Sequence, residues 1–324
     1  IARELIEKAI GLDDNMILAK SLLGKTYLFT KDNDKAMIIF EQNLSQAKEL
    51  KDNSGIALSY SNIGMVFWNR EKYDQALDYY NRSLNIVETL NDKAQIAHLF
   101  HLIGHAYIDK KEFNNARKFW EKGKILYEEI EDEDGISSSK THYGILSFKI
   151  CNYITALEYF YDSLKIETKL KRKDGINAAF HNIGDTYNCI GEYDKALDFL
   201  NRALSYYKEY EIPVVESSIF DNNLEDLYVL NYNIGQSYYH KSNYKKSIKH
   251  LQDAIKLEDQ SLCAKTYLFL SYKQIGKEYD REEIFKLIKK EKNIEYDINY
   301  HLFQLLEDTN FLKTAYSEIK EKAD

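Results

Sequence analysis

Proline is almost missing from this sequence: Pro213 is the only one in 324 residues, and glycine is held to 13. A chain so poor in helix breakers can carry long helices in close succession. Cysteine is scarce as well. Cys151, Cys189 and Cys263 lie far apart, are odd in number and form no CxxC. That excludes a disulfide framework and a paired-thiolate metal site, and predicts buried free thiols in a reducing, cytoplasmic setting. No apolar run approaches the ~18 residues that span a bilayer, and no secretory leader is visible, so no membrane partner is expected. An excess of basic residues is lacking too. Net charge is -8, with no Lys/Arg block, and a nucleic-acid partner is not expected because phosphate binding needs a cationic face. There is no Gly-rich phosphate loop, GxSxG, HExxH or paired cysteine ligand set. Neither an enzymatic activity nor a cofactor is expected.

What is present suits a packed helical protein. The chain is 44% hydrophobic and 30% charged, ample for a core. Aromatics make up 14%, with 27 tyrosines. Tyrosine fits half-buried helix pairs, since its ring packs while its hydroxyl reaches water. The chain opens inside an apparent helix, Arg3 to Ile10, and is expected to belong to a longer protein.

An internal repeat dominates. Gly24, Gly64, Gly104, Gly144 and Gly184 follow one another at intervals of 40. Twelve residues after each stands an alanine: Ala36, Ala76, Ala116, Ala156 and Ala196. Sixteen after each stands a large residue: Phe40, Tyr80, Trp120, Phe160 and Leu200. Tyr27, Phe67, Tyr107 and Tyr187 follow their glycines by three, Ser147 being the exception. A sixth copy has Gly235, Tyr238, Ser247 and Leu251; a weaker seventh has Phe269 in the glycine position and Tyr272. Within a copy the apolar positions keep helical spacing, as in Leu77, Tyr80, Leu84 and Val87. The spacing predicts paired antiparallel helices, with small residues where two backbones cross closely.

This pattern resembles the tetratricopeptide repeat, whose motif places Gly, Tyr, Ala and an aromatic at these spacings. The resemblance covers residues 1 to about 275 and implies an all-α fold: a right-handed superhelical solenoid of about seven helix pairs plus a C-terminal helical cap. A period of 40 against the usual 34 adds roughly one and a half turns, so both helices are expected to be long. Such long repeats, and the phrase DKAQIAHLFHLIGHAYIDKKEFNNA, are similar to those of kinesin light chain, Pins-type adaptors and bacterial Rap-type peptide receptors. A looser likeness is to the repeat-bearing sensor parts of bacterial signalling proteins such as nucleotide cyclases. The expected organisation is a sub-array over 1–211, an inserted connection or hinge at 212–222, further repeats over 223–278 and capping helices over 279–324. The insertion contains Pro213, and its Val214, Val215, Ile219 and Phe220 predict a docked segment. Helices are expected at 280–291, 296–307 and 309–322.

In such a stack the first helices of the pairs line the concave face. Their outward positions predict a peptide-binding groove formed by Asn62, Trp68, His101, His105, His142, Phe148, His181, Asn182, Asp185, Tyr232, Asn233, Gln236 and Tyr239. Asparagine recurs two residues before the glycine, at Asn62, Asn182 and Asn233. A side-chain amide pairs with both N–H and C=O of an extended peptide, and in the receptors that the chain resembles an asparagine at this position does so. The alternative is that these amides bond neighbouring helices. Six of the eight histidines fall on the same face: His98, His101, His105, His142, His181 and His240. A polar lining, a pH-sensitive groove and a metal site are the three readings of that group. Chaperone-binding repeats resemble this class but clamp a carboxylate with Lys and Arg, whereas Lys25 and Lys149 stand isolated here.

Three functions follow as expectations. The first is a scaffold that binds a protein or peptide ligand. The second is a regulatory or sensor segment of a larger signalling protein. The third is a homodimer formed through the convex face or the terminal helices.

Overall fold

The computed structural model describes residues 16–209, 221–291, 294 and 296–323. The helix expected over Arg3 to Ile10 and nearly all of the 212–222 connection lie outside the described residues. Every described regular element is a helix, and the helices run in consecutive pairs. Backbone packing separates the chain into two compact units, with the change-over between Lys173 and Asp174.

The first unit holds four pairs: α1 (Ile17–Phe29) with α2 (Asn33–Glu49), α3 (Asn53–Asn69) with α4 (Tyr73–Thr89), α5 (Lys93–Asp109) with α6 (Phe113–Glu129), and α7 (Glu133–Lys149) with α8 (Tyr153–Leu170). Helices α2 to α7 are 17 residues each. Two such helices and their two short turns account for the period of 40. The second unit holds α9 (Lys173–Ile190), α10 (Tyr193–Glu209), α11 (Asp221–His240), α12 (Tyr244–Leu257), α13 (Leu262–Gln274), α14 (Arg281–Ile288), α15 (Tyr296–Leu306) and α16 (Thr309–Ala323). Helix α14 stops at Ile288, short of the expected 291.

The glycine-to-bulky spacing has a direct steric cause. A methyl group placed on Gly64 meets the Tyr80 ring at 2.6 Å, one on Gly184 meets Leu200 at 2.7 Å, and one on Gly235 meets Leu251 at 2.6 Å. Gly24 faces Phe40, Gly104 faces Trp120 and Gly144 faces Phe160 in the same way. Each bulky residue seats its side chain on the bare backbone of its partner helix and is wholly or almost wholly buried. The alanine four residues earlier lies one turn away and is also fully buried in each of the first five copies. Around these crossings, Leu77, Leu84, Val87, Leu99 and Ile103 form one apolar cluster of the first unit. Leu197, Leu204, Leu230 and Ile234 belong to one in the second. Helix α13 is buried on nearly all sides, against Leu251, Ile284, Leu287, Ile298, Leu302 and Leu305.

The turns are equally regular. Lys31, Lys51, Glu71, Asn91, Lys111, Glu131, Cys151 and Lys171 each take a left-handed conformation with φ between 54° and 60°. That geometry lets the chain close each helix: Lys111 N–H bonds the Ile108 carbonyl at 2.8 Å and Glu112 N–H bonds that of Tyr107 at 2.8 Å. Asp32, Asp92 and Asp132 then cap the following helices. Asp134, within the expected break, lies inside α7, and Asp52 stands at its cap position without a side-chain bond.

The cysteines depart from expectation. None forms a disulfide among the described residues, but Cys151 and Cys189 are exposed and Cys263 is half-buried. Cys151 occupies a turn, and Cys189 falls on the outward side of the last turn of α9.

Two substitutions test this account. Gly104→Ala should lower unfolding stability by about 1–3 kcal/mol through overpacking against Trp120, despite the roughly 1 kcal/mol of helix propensity that alanine adds. Thermal or urea unfolding measures it, and an unchanged midpoint would contradict the close crossing. Lys111→Gly removes a left-handed lysine and should raise the melting temperature slightly, by up to about 1 kcal/mol of stability.

Candidate functional site

The first helices of successive pairs touch one another within the first unit, α1 with α3 and α5 with α7. Their outward side chains therefore meet across neighbouring repeats, and many are already engaged. Trp68 is 37% exposed, and its indole Nε1 donates to Asp109 Oδ2 at 2.7 Å. Asp109 has its carboxyl raised above the ordinary value, burial being the largest cause, against the lowering effects of Trp68 and Lys149. Phe148 is half-buried, edge-on to Tyr153 with ring centroids 5.5 Å apart.

Three of the expected histidines come together. His105 Nε2 lies 2.7 Å from His142 Nε2. His101 Nε2 lies 3.1 Å from Ser139 Oγ, and its ring stands edge-on to His142 at 4.5 Å between centroids. The Trp120 indole lies nearly flat on His142 at 5.0 Å and donates its Nε1–H to the His101 carbonyl at 3.1 Å. Exposure is 4% for His101 and 8% for His142, while His105 is half-buried and His98 exposed. Burial depresses the imidazole of His101 to about 3 and that of His105 to about 4. Burial, reinforced by the neighbouring histidines, puts His142 well below the ordinary value. Burial therefore favours the neutral form of these three rings.

The asparagines differ from one another. Asn62 is 0% exposed, and both its amide atoms lack a hydrogen-bond partner. Asn233, at 3%, donates to Asp185 Oδ1 at 3.2 Å, and its carbonyl accepts from Asn188 and Ser237. Asn182 is half-buried, and its side chain makes no hydrogen bond with another described residue. It is the one amide of the three that is both reachable and unengaged. In the same unit, His181 is half-buried, and burial lowers its imidazole against the pull of Asp226. Gln236 Nε2 donates to Tyr267 Oη at 2.9 Å. Tyr232 and Tyr239 stand edge-on to Tyr267, at 5.9 Å and 5.4 Å.

Two rules explain what meets what. The residue after the glycine faces the residue two before the next glycine: His105 meets His142, and Asp185 meets Asn233. The residue three before the glycine packs on the one nineteen after it, and the two trade size. Ser21 bonds Asn43 at 3.1 Å and Thr141 bonds Ser163 at 2.9 Å. Bulky His101 faces Gly123, where an added methyl would meet the imidazole at 2.9 Å. His181 with Ala203 and Tyr232 with Ala254 continue the exchange in the sequence. Ser139, Trp120, Gly123 and Tyr267 were not among the expected site residues. The size exchange is a pattern in the sequence that could have pointed to Gly123.

A helix-pair repeat with glycine crossings and polar leading helices defines a class, the helical repeat proteins. Models of the tetratricopeptide repeat match residues 15–89 and 136–209, and a second such model matches 97–123 and 228–261. The chain belongs to the tetratricopeptide repeat family. Compared by sequence with curated proteins, it has no match. Among solved structures it is similar to BtubC (BKLC) from P. vanneervenii, at 16% identity and TM-score 0.58, over 70% of this chain and 91% of that one. It is similar to a signal-transduction ATPase with numerous domains and a tetratricopeptide repeat sensor, from Pyrococcus horikoshii. There the identity is 16% and the TM-score 0.63, over 99% of this chain and 46% of that one. A Rap protein complexed with competence and sporulation factor aligns at 14% identity and TM-score 0.62, over 95% and 98%. At these identities the likeness concerns the fold. Among the described residues no helix is long and apolar enough to cross a membrane.

The size exchange can be tested by a double-mutant cycle. Gly123→Ser should destabilise by about 1 kcal/mol or more through crowding of His101. Adding His101→Ser restores the Ser61/Ser83 combination of the second repeat and should recover most of that loss. Additive effects in denaturant unfolding would refute the pairing.

Proposed function

We propose that this chain is a non-enzymatic, cytoplasmic scaffold that holds a segment of another polypeptide along the leading helices of its repeats. The observation that carries the reading is Asn182: a half-exposed amide with no partner among the described side chains, at the repeat position where a bound backbone would find both a donor and an acceptor. In the first unit, taken by itself, Trp68 offers an exposed aromatic surface of the kind that anchors interfaces. Asn62 has no direct contact role here, because it is fully buried. Asn233 is already held by Asp185.

The test begins with peptides selected against the purified chain from a random display library. Their affinities are then measured by calorimetry. Asn182→Ala should weaken binding roughly two- to twelve-fold, the range for one net hydrogen bond of about 0.5–1.5 kcal/mol. Lys171→Ala, on an inter-repeat turn, should leave it unchanged. Selected peptides that bind Asn182→Ala with unchanged affinity would refute this site.

A second reading is a sensor segment that acts on other domains of its own protein. Alignment of nearly the whole chain with less than half of a signalling ATPase that bears a repeat sensor favours it. Under that reading a ligand of the repeats changes the activity of a linked domain, which a coupled assay of the full-length protein reads directly.

A further inference from the structure

The leading helices of the second unit are poor in positive charge. Helix α9 has no lysine or arginine after Lys173, and α11 and α15 have none at all. The two lysines of α13 are already paired, Lys265 with Glu283 at 2.6 Å and Lys273 with Glu307 at 2.8 Å. Lys241, just past α11, is held by Asp194 at 2.7 Å. Carboxylates stand on the same helices. Asp185 of α9 meets Asn233 of α11. Asp297 of α15 lies beside Tyr267 and His301: burial raises the phenol and lowers the imidazole, and the Asp297 charge adds to the first and opposes the second. Rings from several elements gather in this unit. His240 lies flat on Tyr193 at 4.9 Å between centroids and edge-on to Tyr239 at 5.3 Å and to His301 at 5.9 Å. Tyr193 and Tyr239 are half-buried, and Tyr300, edge-on to His301, is 44% exposed. The unit's own cations cover other rings, Lys195 over Tyr187 and Lys246 over Tyr238. Desolvation lowers the imidazoles of His240 and His301, which favours their uncharged forms.

We propose that this face of the second unit takes an arginine-bearing segment of polypeptide, whose guanidinium lies against the Tyr239 and Tyr300 rings in the field of Asp185 and Asp297. The inference rests on the reading that a polypeptide runs along the leading helices at Asn182, and it says which kind of polypeptide. Asn182 and Asp185 are three residues apart on α9 and so share a side of that helix. A backbone held at Asn182 therefore carries its side chains past Asp185. A cation over a tyrosine ring is attracted by the ring quadrupole. Guanidinium suits such a surface best, because it is planar, weakly hydrated, stacks on aromatic faces and forks to a carboxylate. Lysine keeps the charge but is compact and strongly hydrated, and it loses the stacking. An acidic segment would face carboxylates of its own sign with no cation on α9 beyond Lys173, on α11 or on α15 to offset them.

Peptides selected from a random display library against the whole chain are synthesised in three forms, with arginine, lysine or uncharged citrulline at each arginine position. Calorimetry at low and high salt reads their affinities. Arginine should be enriched among the selected peptides, citrulline should weaken binding about tenfold, lysine should fall between, and added salt should weaken the arginine form most. Asp185→Asn keeps an acceptor for Asn233 and should weaken the arginine peptides about fivefold while leaving the citrulline forms unchanged. Tyr300→Ala should weaken them roughly two- to fivefold. Asp198→Asn, an exposed carboxylate on α10 that makes the same change in net charge, should leave them within twofold. Circular dichroism confirms that each variant is folded. Equal affinity for the arginine and citrulline forms, or equal loss from Asp198→Asn and Asp185→Asn, would overturn the site. Selected peptides that lack arginine yet lose affinity with Asn182→Ala would overturn this inference and leave peptide binding standing, whereas failure to select any peptide would overturn both.

Discussion

Two helix backbones can approach closely only where neither carries a side chain in the way. In this chain a glycine on the first helix of a pair leaves a gap, and a bulky residue from the second fills it: Phe40, Tyr80, Trp120, Phe160, Leu200 and Leu251 in turn. The filled gap fixes the depth of the crossing, and the alanine one turn away is buried beside it. Left-handed turn residues then close helix after helix with nearly the same φ. Because each pair is built in one way, the leading helices present the same positions repeat after repeat. Those positions are free to vary in chemistry without disturbing the core.

They are not free of one another. Leading helices of adjacent repeats lie close enough for outward side chains to meet, and polar groups find partners there before any ligand arrives. Trp68 bonds Asp109, His105 bonds His142, and Asn233 bonds Asp185. A low local dielectric strengthens such bonds and penalises polar atoms left without one. Binding capacity therefore resides in the exceptions, such as Asn182, rather than in the whole row. The histidine group follows the same logic. Burial lowers its imidazoles below their ordinary value, and the rings bond one another and Ser139 rather than standing open to a ligand.

The fold was legible because its cause is local and repeated. A glycine followed at fixed distance by an alanine and a large residue has one simple steric solution, and six concordant copies leave little room for another. Helix lengths followed from the period. The cysteines were misjudged for an equally physical reason. Composition predicts buried thiols, but Cys151 falls on a turn and Cys189 on an outward helix position, both set by the repeat phase. The phase was already in hand and would have corrected the expectation.

The outward residues were identified by helical phase alone, which says which side of a helix a residue occupies. Phase does not say whether that side is sealed by the next repeat. Asn62 and Asn182 hold the same repeat position, yet one is fully buried and the other half-exposed. The period, the pairing of helices and the small-to-large crossings were contained in the order of the amino acids, because each depends on neighbours at most some twenty residues away. Which imidazoles face each other, and which amides keep a free hydrogen bond, depends on side chains some forty residues distant. Their separation is settled only when one helix pair packs on the next.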